Sequence, residues 1–172
     1  NLAVKDSALW LHENAIERLR RQFELITKVC PGLFYNQMEK IDSKIVEELI
    51  ETGEGQTIDF KESPILSDGF KLARILTSFA NTNGGFLLIG VRNDRALEGL
   101  AKNEEYQTKI ISIAHDICDP PLTPSVHLYE KGGICVYVVK VSKFKVYPYS
   151  VKLKGGNSYF IRSGDTVRGA HP

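Results

Sequence analysis

The sequence contains few of the residues that build disulfide frameworks and zinc sites. Its 172 residues include only three cysteines, Cys30, Cys118 and Cys135, which are widely separated and lack CxxC spacing. An odd number of scattered cysteines argues against a disulfide scaffold and favours a reducing compartment. We therefore expect a cytoplasmic protein in which the cysteines are small buried hydrophobic residues.

Long hydrophobic runs and a secretory leader are also missing. No apolar stretch approaches the ~20 residues of a membrane-spanning helix, and the first residues lack a basic-then-apolar pattern. No segment is of low complexity, and 42% of the residues are hydrophobic, as is usual for globular proteins. We therefore expect a globular domain and no membrane partner.

The signatures of several enzyme classes are absent as well. The sequence has no GxxxxGK[ST] loop for phosphates, no glycine fingerprint for dinucleotides and no GxSxG motif for a nucleophilic serine. The four histidines are scattered without the spacing of metal ligands. These absences argue against a P-loop nucleotide hydrolase, a dinucleotide-binding enzyme, a serine hydrolase and a histidine-bound metal centre.

Charges of the two signs are unevenly distributed along a chain whose formal net charge is only +1. Residues 39–68 contain nine acidic residues and three lysines, whereas residues 131–168 contain eight lysines and arginines and the single acid Asp165. Such asymmetry can create a positive face on a nearly neutral protein. A solvated, lysine-rich sheet face is the ordinary alternative.

Hydrophobic periodicity predicts two helices near the N-terminus. Residues 7–29 form an amphipathic pattern that ends before Pro31, and a second helix begins at Asp42. We assign residues 1–41 to an N-terminal helical extension and residues 42–172 to an α/β domain. The extension is expected to pack on the domain or to form the contact of a homo-oligomer.

The centre of the domain is predicted to be a helix, a turn and a strand. Residues 69–81 carry an apolar stripe at helical spacing, and Asp68 offers a cap for this helix. The sequence Asn-Thr-Asn-Gly-Gly then ends the helix, and residues 86–91, FLLIGV, are apolar on both faces, as central strands are. A short strand at residues 57–61 precedes this unit.

The second half of the sequence is rich in predicted strands. A helix over residues 103–117 is followed by the segments SVHLYE, ICVYVVKVS, YSVKLK and SYFIRS, and glycine pairs between them indicate hairpins. This order of strands and helices predicts an α/β or α+β fold in which helices pack on a mixed β-sheet.

Five short motifs occur in a recognisable order: EGQTIDFKE from Glu54, FANTNGG from Phe79, IGV from Ile89, EGL from Glu98 and YFIRSG from Tyr159. Over about residues 45–170, they resemble the Schlafen AlbA-like DNA-binding domain family, which includes bacterial regulators related to divergent AAA proteins and RecG-like helicases. The resemblance implies an α/β domain that binds nucleic acid as part of a bacterial transcriptional regulator.

The resemblance also implies an alternative function, because a related core in animal Schlafens cleaves tRNA and rRNA through a metal-bound acidic trio. The acidic signature aligns with Glu54 and Asp59, which become candidate ligands of Mg²⁺ or Mn²⁺. The third acid aligns with Asn93, and Asp94 replaces it only if the turn shifts by one residue. Glu54, Asp59 and Asp94 are therefore the catalytic candidates for a metal-dependent endoribonuclease, which Asn93 disfavours.

The leading hypothesis is that the basic strands bind nucleic acid, a function for which we expect no cofactor. Lysine and arginine attract phosphates without sequence preference, and exposed aromatic residues such as Tyr147 or Tyr149 can stack on unpaired bases. We predict that DNA or RNA binds to a basic β-sheet face. The predicted phosphate contacts are Lys61, Arg92, Lys143, Lys145, Lys152 and Arg162. For Arg162, an ion pair with an internal acid is the alternative.

Two further alternatives stay open. The glycines of the FANTNGG turn, residues 79–85, would let a helix and a strand pack closely, which we favour; alternatively, Asn81 and Asn83 would hold a phosphate near Lys61 and Asp59. At the level of the whole chain, a third function is an assembly or ligand-sensing module whose N-terminal helices form a dimer surface.

Overall fold

A computed structural model of the chain describes residues 41–143 and 148–170. Within these ranges, the helices are α1 (Ser43–Thr52), α2 (Gly69–Ala80) and α3 (Glu104–Asp116), and a 3₁₀ helix spans Ser63–Ser67. The strands are β1 (Ile58–Lys61), β2 (Gly85–Ile89), β3 (Cys118–Asp119), β4 (Ser125–Lys131), β5 (Ile134–Val141), β6 (Ser150–Leu153), β7 (Gly156–Ser163) and β8 (Thr166–Ala170). Residues 1–40 of the predicted N-terminal extension, with its helix, lie outside the described residues, and the helix and the oligomer contact stay predictions.

The first sheet has the strand order β1-β2-β5-β4 and confirms the predicted mixture of strand directions. β1 runs parallel to β2, whereas the β2–β5 and β4–β5 pairs are antiparallel. β2 is a central strand in which all five residues are buried, as its apolar sequence predicts. The glycine pair at residues 132–133 joins β4 to β5 as a hairpin.

A second sheet, with the order β3-β6-β7-β8, was not anticipated. The sequence predicted one mixed sheet, but the described strands divide into two four-stranded sheets, and the second is antiparallel throughout. Its two outer strands escaped prediction for local reasons. β3 has only two residues, and β8 (TVRGA) has no buried residue and contains a glycine, so neither shows a clear hydrophobic alternation.

Helix α2 packs between the two sheets, and most of the hydrophobic core surrounds it. Leu87 and Ile89 of β2 face α2, whereas Phe86 and Leu88 face the opposite side, where α1 packs. Successive residues of a strand point to opposite faces, so one apolar strand supplies both cores. Each fully buried side chain of this size contributes roughly 1.5–3 kcal/mol to the free energy of unfolding.

The helix boundaries agree with the predicted caps. The Asp42 carboxylate accepts a hydrogen bond of 3.0 Å from the Ile45 amide at the start of α1. Asp68 accepts a 2.9 Å hydrogen bond from the Lys71 amide at the start of α2. Such caps satisfy amides that the helix itself cannot, and each contributes about 1 kcal/mol. No helix among the described residues is long and apolar enough to cross a bilayer.

The FANTNGG turn permits a close approach of α2 and β2. The Gly84 amide donates a 2.7 Å hydrogen bond to the Phe79 carbonyl and so closes the end of α2. A Cβ atom at Gly85 would lie 2.5 Å from the Phe79 ring and 2.5 Å from the Thr57 carbonyl oxygen. Only a residue without a side chain fits at Gly85, and the geometry therefore supports the packing role.

Asn81 in the same turn attaches α2 to the second sheet. Its Nδ2 donates to the carbonyl oxygens of Tyr149 at 2.6 Å and Phe160 at 3.0 Å, and its Oδ1 accepts from the Tyr149 amide at 2.7 Å. Three of its hydrogen-bonding positions are thus used on backbone groups around β6 and β7, which gives Asn81 a structural task.

The cysteines within the described ranges are buried free thiols, as predicted. Cys118 lies in the core between the sheets, and burial raises the pKa of its thiol to about 12. It therefore behaves as a small hydrophobic residue at neutral pH. Cys30 lies outside the described residues.

Candidate functional site

A cleft of about 550 Å³ opens where strands β1 and β2 end. These strands are parallel, and Lys61 is the register partner of Ile89, so their carboxyl ends meet at the same edge of the sheet. Open α/β sheets bind ligands outside this edge. The cleft is lined by Phe60, Lys61, Glu62, Pro64, Ile65, Lys71, Arg92, Asn93 and Asp94.

The loops that form the cleft are tied to each other. The Ser63 amide donates to Glu98 Oε2 at 2.9 Å, and the Ser63 hydroxyl donates to Glu98 Oε1 at 3.1 Å. The Gly90 amide donates to the Lys61 carbonyl at 2.8 Å. Because the loops after β1 and β2 hold each other, the shape of the cleft exists before a ligand arrives.

Three cations from three chain segments line the cleft: Lys61 at the end of β1, Lys71 in the first turn of α2, and Arg92 after β2. Arg92 donates through Nε and Nη2 to the carboxylate of Asp94, at 3.2 and 3.0 Å. Both side chains are about half exposed or more, at 49% and 63%, and such a surface pair is weak enough to exchange for a phosphate. Hydrogen bonds from the Ala96 amide and from Arg92 lower the pKa of Asp94, so it is ionised at neutral pH.

Lys71 differs from the other two cations because its ammonium group has no acidic partner. Among the described residues, no carboxylate lies within ion-pairing distance of Lys71, and its side chain is exposed. Lys71 was not among the phosphate contacts predicted from the sequence. Two features of the sequence could have indicated an exposed cation at Lys71. It lies just after the Asp68 cap, and it lies on the polar side of the apolar stripe of α2.

Glu54 and Asp59 lie together on the inner side of Lys61. The Lys61 ammonium contacts Asp59 Oδ1, donates to the Phe60 carbonyl at 2.7 Å and lies 3.6 Å from Glu54 Oε1. Glu54 Oε1 also accepts a 2.9 Å hydrogen bond from the Phe60 amide. We call Glu54, Asp59, Lys61 and Arg162 the inner charge cluster.

The pKa values of the two carboxyl groups in this cluster shift in opposite directions. Burial raises the pKa of Glu54, and a hydrogen bond shared with Asp59 raises it further. Burial alone would raise the pKa of Asp59 as well, but the hydrogen bond with Glu54 and the charges of Lys61 and Arg162 together lower it. Asp59 is therefore the firmly ionised member, and Glu54 is the one that accepts a proton first.

Arg162 is the fourth member of the cluster and is completely enclosed. Its side chain has 0% exposure, and its Nη1 donates to Asp59 Oδ2 at 2.9 Å. Its Nη2 donates to the carbonyl oxygens of Gly55 at 2.9 Å and Asp165 at 3.2 Å. The guanidinium also lies 4.4 Å from the centroid of the Phe79 ring. Arg162 has no surface to offer a phosphate, and the structure shows the internal ion pair that was the alternative.

The donors present do not fit the acidic trio of a metal-dependent nuclease. Glu54 and Asp59 converge, but both oxygens of Asp59 are engaged by cationic side chains, and Asp94 is paired with Arg92 in the cleft. In the part of the chain that the structure describes, no group of three or more His, Cys, Asp and Glu side chains is arranged to hold a metal ion. Lys61 and Arg162 supply the positive charge that balances the acidic pair.

The remaining predicted phosphate contacts do not share one face with the cleft. Lys143 is exposed just beyond β5. Val141 is paired with Gly85, so Lys143 lies at the opposite end of the first sheet from Arg92. Lys152 is exposed on the second sheet, and its ammonium donates to the Asp116 carbonyl at 3.1 Å. Lys145 lies outside the described residues.

The aromatic residues proposed for base stacking have a similar outcome. Tyr149 is half-buried and packs against the hydrophobic core, and its predicted stacking role stays a prediction. Tyr147 lies outside the described ranges, and its predicted role stays a prediction.

Two solved structures are among those whose fold is similar to that of this chain. One is the solution NMR structure of the N-terminal domain of an ATP-dependent DNA helicase RecG-related protein from Nitrosomonas europaea. It is 27% identical, with a TM-score of 0.53, over 70% of this chain and 88% of that one. The other is the crystal structure of the DIP2311 protein from Corynebacterium diphtheriae, 20% identical, with a TM-score of 0.52, over 87% of this chain and 27% of that one. The chain thus spans about a quarter of DIP2311, and that likeness shows the fold alone.

Comparison with protein families gives a match that covers more than half of the chain. The family described as Schlafen, AlbA_2 matches residues 54–171, a range that contains the inner charge cluster, the FANTNGG turn and the cationic residues of the cleft. The chain belongs to the Schlafen AlbA_2 family.

Proposed function

We propose that this domain binds nucleic acid, with the cleft at the ends of β1 and β2 as a contact for the phosphate backbone. The observation that carries the proposal is the convergence of Lys61, Lys71 and Arg92 from three chain segments on one preformed cleft. The likeness to a domain of a DNA helicase RecG-related protein supports a nucleic acid as the anionic partner. We further propose that the domain serves as one module of a bacterial transcriptional regulator.

Each cation has a different part in this proposal. Lys71 offers an unpaired ammonium group, and Arg92 can turn its fork of N–H donors from Asp94 to a phosphate, a geometry that favours bidentate contact. Lys61 is only 26% exposed and is shared with Asp59, so it adds positive potential at the back of the cleft. Lys143 and Lys152 are separate contacts on other surfaces.

The test is binding of labelled duplex and single-stranded DNA and RNA over a series of salt concentrations. Neutralising n phosphates gives a slope of log K against log salt of about −0.9n for duplex DNA. Lys71→Ala combined with Arg92→Ala should therefore reduce the size of this slope by about two and weaken binding to all sequences alike.

The matched control is Lys44→Ala, because Lys44 is an 83%-exposed cation on α1 and not one of the residues that line the cleft. Lys44→Ala should leave affinity and slope unchanged. If the protein binds no nucleic acid at low salt, or if Lys44→Ala weakens binding as much as the cleft variants do, the proposal fails.

The endoribonuclease alternative has one observation in its favour, namely the contact between Glu54 and Asp59 beside Lys61. It predicts cleavage of structured RNA in the presence of Mn²⁺ or Mg²⁺, and loss of that cleavage in Glu54→Gln and Asp59→Asn. Cleavage of equal rate in wild type and both variants would assign the activity to a contaminant.

A further inference from the structure

Helix α2 presents a second group of functional side chains next to the cleft. Phe70 and Arg74 are separated by one helical turn and lie on the same side of α2, and Lys71 adjoins them. Phe70 is 38% exposed, which is unusual for a phenylalanine in a helix whose other large apolar residues are buried. Neither Phe70 nor Arg74 lines the cleft.

Aromatic rings hold Arg74 in place without an acidic partner. Its guanidinium carbon lies 4.8 Å from the centroid of the Phe160 ring and 5.8 Å from that of Phe70. Throughout the described ranges, no carboxylate pairs with Arg74, and its buried Nε has no hydrogen-bond acceptor. A guanidinium placed over ring faces keeps its terminal N–H groups available for a phosphate.

The Phe70 ring is also held in a defined orientation. It meets Phe160 edge to face, with the ring centroids 6.3 Å apart and the planes at 82°. Part of the Phe70 side chain stays exposed beside Arg74, and Lys71, three residues before Arg74, adjoins Arg74 on the helix surface. Asp68, the nearest acid in the sequence, uses its carboxylate to cap α2.

We propose that Phe70, Lys71 and Arg74 form a stacking site for an unpaired base of a single-stranded nucleic acid. The base lies against Phe70, and the flanking phosphates contact Arg74 and Lys71. This inference rests on the proposed function and specifies its substrate class. A base inside a duplex has both faces covered by its neighbours, so an exposed aromatic ring favours unpaired bases.

Charge complementarity identifies the occupant as polyanionic. Two cations without acidic partners lie on the same helix as one exposed ring, and proteins bind single strands without sequence readout by combining positive charge with exposed aromatic rings. Lys71 belongs to both this site and the cleft, so one strand can follow α2 from Phe70 to Arg92. Among the helix residues that the structure describes, the other exposed large hydrophobic side chain is that of Ile111 in α3, which has no aromatic ring to stack on a base.

The experiment compares affinities of the 172-residue chain for a short single-stranded oligonucleotide, as DNA and as RNA, and for the duplex of the same sequence. Phe70→Leu keeps an apolar contact with Phe160 but removes the aromatic face. It should weaken single-strand binding about ten-fold and leave duplex binding nearly unchanged, because stacking of one base is at stake. Phe70→Tyr keeps the ring and should bind as wild type does.

Arg74→Gln should reduce the size of the single-strand salt slope by about 0.7, the value for one phosphate contact. The matched control is Ile111→Ala, which removes a 42%-exposed apolar side chain from α3 and should change neither affinity. Thermal melting of each variant identifies any loss of folding. Comparison of Phe70→Tyr with Phe70→Leu distinguishes the effect of the aromatic ring on binding from the effect of apolar packing.

Three outcomes would overturn the stacking site, and a fourth would overturn the proposed function itself. If wild type binds nucleic acid but Phe70→Leu binds single strands and duplex as wild type does, the stacking site is overturned and the phosphate cleft stands. Equal weakening of both nucleic acids by Phe70→Leu also overturns it, as does displacement of the single strand by poly-glutamate as readily as by unlabelled strand. If wild type binds no nucleic acid at low salt, the proposed function itself falls.

Discussion

Arg162 and Arg74 both lie over phenylalanine rings, yet they differ in burial and in their acidic partners. Arg162 is 4.4 Å from the Phe79 centroid, has no exposed side-chain surface and pairs with Asp59. Arg74 is 4.8 Å from the Phe160 centroid and only partly buried, and no carboxylate in the described part of the chain pairs with it. The presence or absence of an internal acid separates an arginine that holds the fold together from one that is available to a ligand.

The physical basis of this difference is the cost of desolvating a charge. A fully buried guanidinium without a counter-ion would lose several kcal/mol of hydration, so Arg162 requires Asp59 and the carbonyl acceptors around it. A cation at the surface keeps its water and needs no internal partner. Unpaired cations such as Lys71 and Arg74 are therefore present without destabilising the fold only where solvent or a ligand reaches them.

The largest expected effect comes from breaking the buried pair. Arg162→Met removes one of the two cations that contact the ionised Asp59 in the interior, and we expect a loss of about 3–5 kcal/mol in the free energy of unfolding. Urea denaturation at neutral pH measures this loss. Adding Asp59→Leu to Arg162→Met should restore much of the stability, because two apolar side chains replace the pair. A loss below about 1 kcal/mol in Arg162→Met would show that the pair contributes little.

A smaller loss should follow removal of an uncharged buried contact, which tests whether charge is what matters. Asn81→Ala leaves the Tyr149 amide without its acceptor and two carbonyl oxygens without their donor, and we expect a loss of about 1–3 kcal/mol. Asn81→Asp keeps the acceptor for Tyr149 but loses the amide donor. Chemical denaturation should therefore place Asn81→Asp at or below wild type. Wild-type stability in Asn81→Ala would contradict the attachment of α2 to the second sheet.

The pH dependence of stability should distinguish the two acids of the inner charge cluster. The pKa of Glu54 is raised above its ordinary 4.5, so the folded state holds the proton more tightly and stability falls as the pH rises through the window above 4.5. The pKa of Asp59 is lowered below 3.8, so its contribution is lost as the pH falls below that value. Glu54→Gln keeps the acceptor for the Phe60 amide. It should remove the loss of stability above pH 4.5 and leave the loss at low pH that is due to Asp59. Denaturation curves from about pH 2 to pH 7 cover both windows, and an unaltered profile above pH 4.5 in Glu54→Gln would refute the role of Glu54.

The smallest effect is expected at the surface. Lys71→Ala removes an exposed cation with no ion pair, and its stability should lie within about 0.5 kcal/mol of wild type. The same variant should lose affinity for nucleic acid. Substitution of Lys71 should thus lower affinity without lowering stability, whereas substitution of Arg162 should lower stability. Thermal melting measured beside the binding assay checks both, and a clear drop in melting temperature would assign Lys71 to the fold.

Most of the described secondary structure could be predicted because local patterns encode it. The apolar stripe of α2, the cap at Asp68 and the apolar run of β2 each depend on residues close in sequence. The division into two sheets depends on which strands pair, and no short pattern specifies that. β8 was missed because its strand character comes from pairing with β7 and not from its own residues.

The candidate site was less predictable than the fold for the same reason. Arg162 resembles any other arginine of a basic strand until its burial against Asp59 is seen, and these residues are 103 positions apart. Phe70 and Arg74 were missed because the sequence of a helix gives no sign of which strand packs beside it. Their significance depends on Phe160, which belongs to the second sheet.

The separation of Arg162 and Asp59 also has a consequence for the kinetics of folding. A contact between residues 103 positions apart forms only after a long loop has closed, and the entropy of that closure is lost before the contact forms. We expect this ion pair to form late, after the transition state. Its contribution then appears in the unfolding rate, so that the pair lengthens the lifetime of the folded domain while leaving the speed of folding almost unchanged.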